Sequence, residues 1–211
     1  MENVILYFTD LEGTMLREKD GKYDPEKLQQ LFEQLSNLQK KLDAKVKINI
    51  VSPIFMEHMK KLVNQFNLEI AKFNRGHRSS DLDPINAAMA SLDSNQYFSQ
   101  DYTYDVIEPF PDIERDGGER GKRQHVANWI STYPNAMLYI YAGNGRNDIL
   151  AMQKVLEQKN GFVICPKNSR TQVKQIASIV SEKEDIDGII SNLKILNGRI
   201  RTPDLDDDGD R

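Results

Sequence analysis

Only one cysteine occurs among the 211 residues. An internal disulfide framework is therefore excluded, and we expect the protein to work in the reducing cytoplasm. No apolar run approaches the length of a membrane-spanning helix. The first residues carry no basic segment followed by an apolar one, so we also expect no Sec-type signal peptide. Positive charge is not in excess either, because 28 Lys and Arg stand against 32 Asp and Glu. This balance is not typical of a nucleic-acid-binding protein.

The order of apolar segments predicts an α/β fold. Stripes of apolar residues at helical spacing alternate with short apolar runs that predict strands, at residues 4–8, 46–51, 68–73, 137–142 and 161–165. This alternation is typical of a doubly wound, Rossmann-like parallel sheet with helices on both faces. We expect one domain over residues 1–200, with a less regular insertion at about 74–120, followed by an acidic tail or linker at 201–211.

Two carboxylates follow the first predicted strand, in the segment YFTDLEGTML. Asp10 ends the strand, at the position where open α/β sheets bind ligands. Gly13 and Thr14 allow a sharp turn that brings backbone N–H groups toward an anion. Asp10 and Glu12 are two residues apart, a spacing that suits a nucleophile and a proton carrier. The alternative is a solvated turn that happens to contain an aspartate.

Two later residues suit a phosphate group. Ser52 ends the second predicted strand, and Pro53 fits the first position of a helix, so the serine hydroxyl would lie near a helix N-terminus. Lys122 is predicted to open a helix after the loop GGERG, where a cation is unfavourable unless it pairs with a carboxylate and a phosphate. The alternatives are an ordinary capping serine and a solvated lysine.

The segment AGNGRND, residues 142–148, combines two glycines with oxygen-bearing side chains. A strand ends here, a tight loop follows, and a helix is predicted to begin at Asn147. Asn144 and Asp148 could then face Asp10 of the first strand. Mg²⁺ takes a few oxygen ligands and keeps several waters, so these residues are candidate magnesium ligands. The alternative is a helix cap joined to a turn.

In this order, the four segments resemble the haloacid dehalogenase (HAD) superfamily, and the resemblance spans at least residues 10–148. It implies a doubly wound sheet with its catalytic loops at one edge, and a small or minimal cap formed by the insertion. It also implies that Asp10 becomes an aspartyl-phosphate. Glu12 would be the general acid and base, and its backbone carbonyl would bind Mg²⁺.

The resemblance assigns the remaining residues as well. Ser52 would hold a phosphoryl oxygen, Lys122 would neutralise charge on the nucleophile and the phosphate, and Asn144 and Asp148 would hold the metal. Two positions depart from the family, which usually carries aspartate at Glu12 and at Asn144. Glutamate can still protonate a leaving group, whereas an amide oxygen lacks charge, so we expect weaker metal binding.

The implied function is Mg²⁺-dependent hydrolysis of phosphomonoesters. The substrate is a phosphorylated protein, for instance a phosphotyrosyl protein, or a small metabolite such as a sugar or nucleotide phosphate. The superfamily includes phosphotyrosine phosphatases among bacterial effectors, and delivery to a host cell stays open. A catalytically weak phospho-ligand-binding module is the alternative. The insertion offers cationic and aromatic residues for recognition, namely Arg75, His77, Arg78, Tyr97, Tyr102, Tyr104 and Phe110.

Three other patterns are interpreted as not functional. Cys165 and Arg170 are separated by four residues, whereas a cysteine phosphatase loop needs five, so Cys165 is predicted to end a strand as a small apolar residue. The three histidines show no metal-ligand spacing. The acidic residues 204–209 match only the opening of a calcium loop, because the motif's glutamate is missing. They are predicted to be a solvated tail, or a linker to a further domain beyond residue 211.

Overall fold

The computed structural model describes residues 3–19, 21–51, 56–76 and 113–200. The strands are β1 (Val4–Thr9), β2 (Lys45–Ile50), β3 (Leu138–Ala142), β4 (Gly161–Cys165) and β5 (Ile179–Val180). The helices are α1 (Pro25–Leu42), α2 (Met56–Gly76), α3 (Ile113–Thr132), α4 (Ile149–Leu156), α5 (Thr171–Ile176) and α6 (Asp185–Arg199), and a 3₁₀ turn covers Arg146–Asp148. None of these described helices is long and apolar enough to cross a membrane.

All five strands run parallel in one sheet, in the order β2-β1-β3-β4-β5. The chain moves from β1 outward to β2 on one side and then to β3 on the other side, so the strand order reverses between β1 and β3. Ligands bind outside the carboxyl ends of the strands at such a reversal. The predicted parallel α/β fold is confirmed, and its topology points to the loops after β1 and β3.

Helices cover both faces of the sheet. Alternate residues of β1 point to opposite faces, with Ile5 and Tyr7 in one buried cluster and Leu6 and Phe8 in the other. The first cluster contains apolar residues of α1, α2 and α6, and the second contains those of α3, α4 and α5. Because strands buried on both faces read as continuous apolar runs, the sequence pattern and the packing agree.

Helix α1 begins as the sequence predicts. Asp24 is its N-cap, and one carboxylate oxygen accepts hydrogen bonds from the N–H groups of Glu26 and Lys27, with Pro25 at the first helical position. The helix ends at Asp43, which adopts a left-handed conformation with φ of 46°. These caps fix the length of the connection between β1 and β2.

The predicted strand at residues 68–73 is wrong, because these residues belong to α2. Phe66, Ile70 and Phe73 are buried at helical spacing, whereas Leu68 is 61% exposed. Only a helix places the first three on one face and leaves Leu68 on the other. A six-residue apolar segment satisfies strand and helix patterns alike, and packing against the sheet decides in favour of the helix.

Two further boundaries differ from the prediction. Helix α3 begins at Ile113, so Lys122 lies inside a helix and does not open one. The glycine-rich segment before Lys122 is therefore helical despite its weak helix propensity. Val180 lies in β5, although its spacing from Val173 and Ile176 predicts a helix that carries all three. A strand of two residues is too short to show an alternation of apolar and polar residues, so no sequence pattern indicated it.

The predicted insertion is only partly described. Residues 74–76 end α2, residues 113–120 begin α3, and residues 77–112 lie outside the described residues. All the proposed recognition residues except Arg75 fall on that undescribed stretch. The acidic tail at 201–211 also lies outside the described residues, so its assignment stays a prediction.

Candidate active site

Asp10 lies at the end of β1, next to β3. Its N–H donates to the carbonyl oxygen of Ala142 over 2.9 Å, which extends the pairing of β1 with β3 by one residue. The Thr9 hydroxyl donates to the Asp10 carbonyl over 2.8 Å. Only 5% of Asp10 is exposed. The sheet therefore fixes the backbone of Asp10 at the strand reversal and holds its carboxylate in a largely buried position.

The chain after Asp10 makes a tight turn. The carbonyl oxygen of Leu11 accepts hydrogen bonds from three N–H groups, over 3.2 Å from Thr14 and 2.8 Å from both Met15 and Leu16. Gly13 adopts a φ of 66°, which residues with a side chain rarely adopt. The Gly13 N–H donates to Leu16 within the turn. Binding of phosphate by the N–H groups of Gly13 and Thr14 stays a prediction, because the turn itself uses both groups.

Lys122 reaches the site from α3. Its ammonium lies 2.9 Å from Oδ1 of Asp10 and 2.7 Å from Oδ1 of Asp148, and its side chain is fully buried. The predicted contact of Lys122 with Asp10 is therefore present, although the helix that carries the lysine begins earlier than expected. One buried cation between two carboxylates leaves a net negative charge, which a bound metal ion would offset.

Both oxygens of Asp148 are occupied. Oδ1 accepts hydrogen bonds from Lys122 and, over 2.8 Å, from the hydroxyl of Tyr141. Oδ2 accepts from the N–H groups of Asn144 over 3.1 Å and Gly145 over 2.9 Å. A Cβ at Gly143 would lie 2.6 Å from Oδ2, so glycine is needed for this close approach. The loop after β3 is thus built around the Asp148 carboxylate.

Burial and charge shift the pKa values of these groups. Burial, followed by the negative charge of Asp148, raises the pKa of Asp10 to about 7, although Lys122 acts in the opposite direction. Burial lowers the pKa of Lys122, but the two carboxylates outweigh it, so the pKa is raised and the ammonium stays charged. Burial and the Asp148 charge raise the pKa of Tyr141, which stays a hydrogen-bond donor.

The raised pKa of Asp10 predicts how stability depends on pH. The pKa is 3.8 for an ordinary aspartate and about 7 in the folded protein, so between these values the folded state holds a proton that the unfolded chain has lost. The contribution of Asp10 therefore makes the free energy of unfolding fall as the pH rises through this range. We expect urea unfolding in EDTA to show Asp10→Asn gaining stability relative to wild type between pH 4 and 7. If the free energies of unfolding of Asp10→Asn and wild type differed by the same amount at every pH, this prediction would be contradicted.

A cavity of about 380 Å³ opens beside Asp10. Its lining includes Glu12, Asn144, Asn168 and Arg170. The Thr14 hydroxyl donates to Oδ1 of Asn144 over 3.4 Å, so the loops after β1 and β3 meet at its edge. The described residues that line the cavity include no aromatic side chain. Its polar walls suit a hydrophilic ligand.

The structure brings together most of the predicted site. Asp10, Lys122 and Asp148 are in direct contact, and Glu12 and Asn144 line the cavity with Asp10. Ser52 lies outside the described residues, so its role stays a prediction. Cys165 is buried at the end of β4, as predicted, and burial raises the pKa of its thiol.

Two contributing residues were not predicted, Tyr141 and Asn168. Tyr141 reads in the sequence as an ordinary buried strand residue, and only its hydroxyl bond to Asp148 shows its role. Asn168 lies between Cys165 and Arg170, in a segment whose pattern was interpreted as not functional. A polar residue just after a strand at the ligand-binding edge was the available signal.

No protein-family model and no curated protein sequence matches this chain. Solved structures do match. The haloacid dehalogenase-like hydrolase yhjK from Bacillus subtilis gives a TM-score of 0.51 at 19% identity, over 95% of this chain and 91% of its own. A haloacid dehalogenase-like hydrolase from Bacteroides thetaiotaomicron gives 0.50 at 14% identity, over 93% and 100%. Thermoplasma acidophilum 0175 gives 0.50 at 15% identity, over 92% and 98%. Similarity at this level shows the fold that these proteins share with this chain.

Proposed function

We propose that this chain, which has the fold of the haloacid dehalogenase-like hydrolases, hydrolyses phosphomonoesters through an aspartyl-phosphate at Asp10. One observation carries the proposal. A buried carboxylate at the end of β1 contacts a fully buried lysine, which Asp148 holds from the other side. In this proposal Asp10 is the nucleophile and Lys122 is a fixed positive charge, and both lie at the edge of the sheet where ligands bind.

In the first step, a carboxylate oxygen of Asp10 attacks phosphorus, and the bond from phosphorus to the ester oxygen breaks. Glu12 gives its proton to the departing oxygen. In the second step, Glu12 takes a proton from water as the water oxygen attacks the phosphorus of the aspartyl-phosphate, which releases phosphate and restores Asp10. Lys122 stabilises negative charge on the phosphoryl oxygens in both steps.

The residues present fit Mg²⁺. Among the described residues, no group of three or more His, Cys, Asp or Glu side chains could hold a metal. A smaller oxygen set is available, because Asp10, Glu12 and Asn144 line one cavity. Mg²⁺ needs few protein ligands, and we assign it to the Asp10 carboxylate, the Glu12 carbonyl and the Asn144 amide oxygen. When bound, Mg²⁺ would offset the negative charge of the transferring phosphoryl group.

Asp148 has a different role in this proposal from the one the sequence suggested. Four hydrogen bonds occupy its two oxygens, and none of them would survive direct coordination of a metal at the same lone pairs. We propose that Asp148 fixes the positions of Lys122 and of the loop after β3. Metal binding by the loop after β3 then depends on Asn144. Because its amide oxygen carries no charge, we expect the metal to be bound weakly.

The cavity favours a small, polar phosphorylated metabolite. Arg17 and Arg170 line it together with Glu12 and Asn147, and these groups match hydroxyl and anionic substituents of a substrate. A phosphotyrosyl protein as substrate depends on the aromatic residues of the insertion, from Tyr97 to Phe110, which lie outside the described residues.

Turnover with and without metal tests the proposal. We expect the protein to hydrolyse p-nitrophenyl phosphate and a subset of sugar phosphates and nucleotides in Mg²⁺, to lose activity in EDTA, and to regain it when excess Mg²⁺ is added. Cys165→Ala is the control, and it should keep full activity because the thiol takes no part. Tight binding of phosphate without turnover of any ester would favour the alternative of a phospho-ligand-binding module.

A further inference from the structure

One side-chain amide joins three parts of the chain beside the site. Nδ2 of Asn168, in the loop after β4, lies 3.2 Å from the carbonyl oxygen of Gly13, 3.1 Å from Oε2 of Glu18 and 2.9 Å from Oδ1 of Asp185. Its Oδ1 accepts a hydrogen bond from the Asp185 N–H over 2.9 Å. Asn168 therefore connects the turn after β1, the loop after β4 and the start of α6.

Gly13, the residue after Glu12, lies between two side-chain amides. A Cβ at Gly13 would clash with Nδ2 of Asn144 and would lie 3.2 Å from Nδ2 of Asn168, so the amide groups of both side chains approach Gly13 closely. Among the described residues, Asn168 is the side chain that donates a hydrogen bond to the Gly13 carbonyl. It thus holds the carbonyl group of the residue that directly follows Glu12.

Asp185 supports Asn168 from the other side. Its φ is 46°, a left-handed conformation that is uncommon for residues other than glycine and asparagine. In this conformation both its N–H and its carboxylate meet the Asn168 amide, which gives two hydrogen bonds between the same two residues. The amide plane of Asn168 is therefore fixed, and its remaining N–H faces the Gly13 carbonyl and the Glu18 carboxylate.

The side chain of Glu12 has no such support. It is exposed, and among the described residues no group donates a hydrogen bond to its carboxylate or forms an ion pair with it. Its position relative to Asp10 is consequently set by the backbone of the turn. A small displacement of this turn would move the carboxyl group away from the leaving oxygen.

We infer that Asn168 is a positioning residue for the general acid, because it holds the Gly13 peptide and thereby directs Glu12 toward the ester oxygen. The inference rests on the proposed function of the site. Under this inference, Asn168 affects the protonation of the leaving group. It does not affect attack by Asp10, because the sheet holds the backbone of Asp10 independently.

The dependence on the leaving group tests this role. An alkyl oxygen needs a proton to depart, whereas p-nitrophenolate leaves without one. We expect Asn168→Ala to lower kcat/KM about 10- to 100-fold for an alkyl phosphate and less than about threefold for p-nitrophenyl phosphate. The ratio kcat/KM is the right quantity, because it covers the steps up to formation of the aspartyl-phosphate and omits its later hydrolysis.

Asn160→Ala is the matched control. Asn160 is also half-buried and also donates a hydrogen bond from its amide to a backbone carbonyl, that of Ala136 over 2.7 Å, but it lies at the opposite edge of the sheet. It should leave the ratio of alkyl to aryl activity unchanged. If Asn160→Ala lowered that ratio as Asn168→Ala does, the effect would reflect general loosening and the inference would be overturned.

Exchanging the two partners separates stability from positioning. In the double variant Asn168→Asp with Asp185→Asn, the new asparagine can donate to the new aspartate, so the link between the loop and α6 is kept while the donor to Gly13 is lost. We expect a melting temperature closer to wild type than that of Asn168→Ala, with the alkyl activity still selectively low. Recovery of the alkyl activity would overturn the inference.

The outcomes also separate this inference from the proposed function. If the wild-type protein hydrolyses neither ester, the proposed function fails and the inference fails with it. If the wild-type protein hydrolyses both, and Asn168→Ala lowers both equally or neither, the proposed function stands and only the inference is overturned.

Discussion

Replacing Asp10 with asparagine is expected to lower phosphate release by at least about 1,000-fold, because the amide removes the nucleophile and nearly preserves its shape. The loss should appear in kcat, while the affinity for inorganic phosphate changes little, since Lys122 keeps its contact with Asp148. Steady-state hydrolysis of p-nitrophenyl phosphate in Mg²⁺ measures the first quantity, and competitive inhibition or calorimetry with phosphate measures the second.

Asp43→Asn is the matched control for this substitution. It makes the same chemical change at the other edge of the sheet, at the exposed end of α1, where the left-handed conformation is one that asparagine also tolerates. It should retain wild-type activity. If Asp10→Asn kept more than about a tenth of the activity, the nucleophile would be misassigned.

Replacing Lys122 with methionine is expected to affect stability and catalysis together. Methionine fills a similar volume but leaves Asp10 and Asp148 buried without their shared cation. Removing one partner of a buried ion pair typically destabilises a protein by about 3–5 kcal/mol. The lost positive charge should also lower kcat/KM by about 100-fold or more, since it acts on the charge that develops during phosphoryl transfer.

Two further variants test whether the loss of a buried cation explains the effect of Lys122→Met. Adding Asp148→Asn to Lys122→Met removes one of the two unpaired buried carboxylates, so urea unfolding should show part of the stability regained without recovery of activity. Lys154→Met breaks an ion pair of 2.6 Å with Glu157, but Glu157 is 50% exposed, so the expected change is below about 1 kcal/mol. Equal destabilisation by Lys154→Met and Lys122→Met would contradict the importance of the buried contacts of Lys122 with Asp10 and Asp148.

The sheet and the first part of the site could be predicted from sequence for a common physical reason. Strands buried on both faces are mainly apolar, so β1, β3 and β4 stand out, and a carboxylate in the loop after such a strand must lie at the edge where loops converge. Asp10 and Asp148 follow β1 and β3, and the reversal of strand order between these strands brings them together.

The parts that escaped prediction depend on contacts between distant residues. Tyr141 is distinguished from other buried tyrosines only by the hydroxyl bond to Asp148, which the fold creates. Asn168 acts on Gly13, a residue 155 positions away in the chain. Residues 68–73 became helical because Phe66, Ile70 and Phe73 pack together against the sheet, a preference that no six-residue window contains.

The central claim is that phosphate passes through the carboxylate of Asp10. Its most direct test is to quench the protein with acid during turnover of p-nitrophenyl phosphate, reduce the quenched protein with borohydride, and sequence its peptides by mass spectrometry. An acyl phosphate at Asp10 would be reduced to homoserine at position 10, and this residue should appear only when substrate and Mg²⁺ were both present. Turnover with an unmodified Asp10, or with homoserine at another aspartate, would contradict the account.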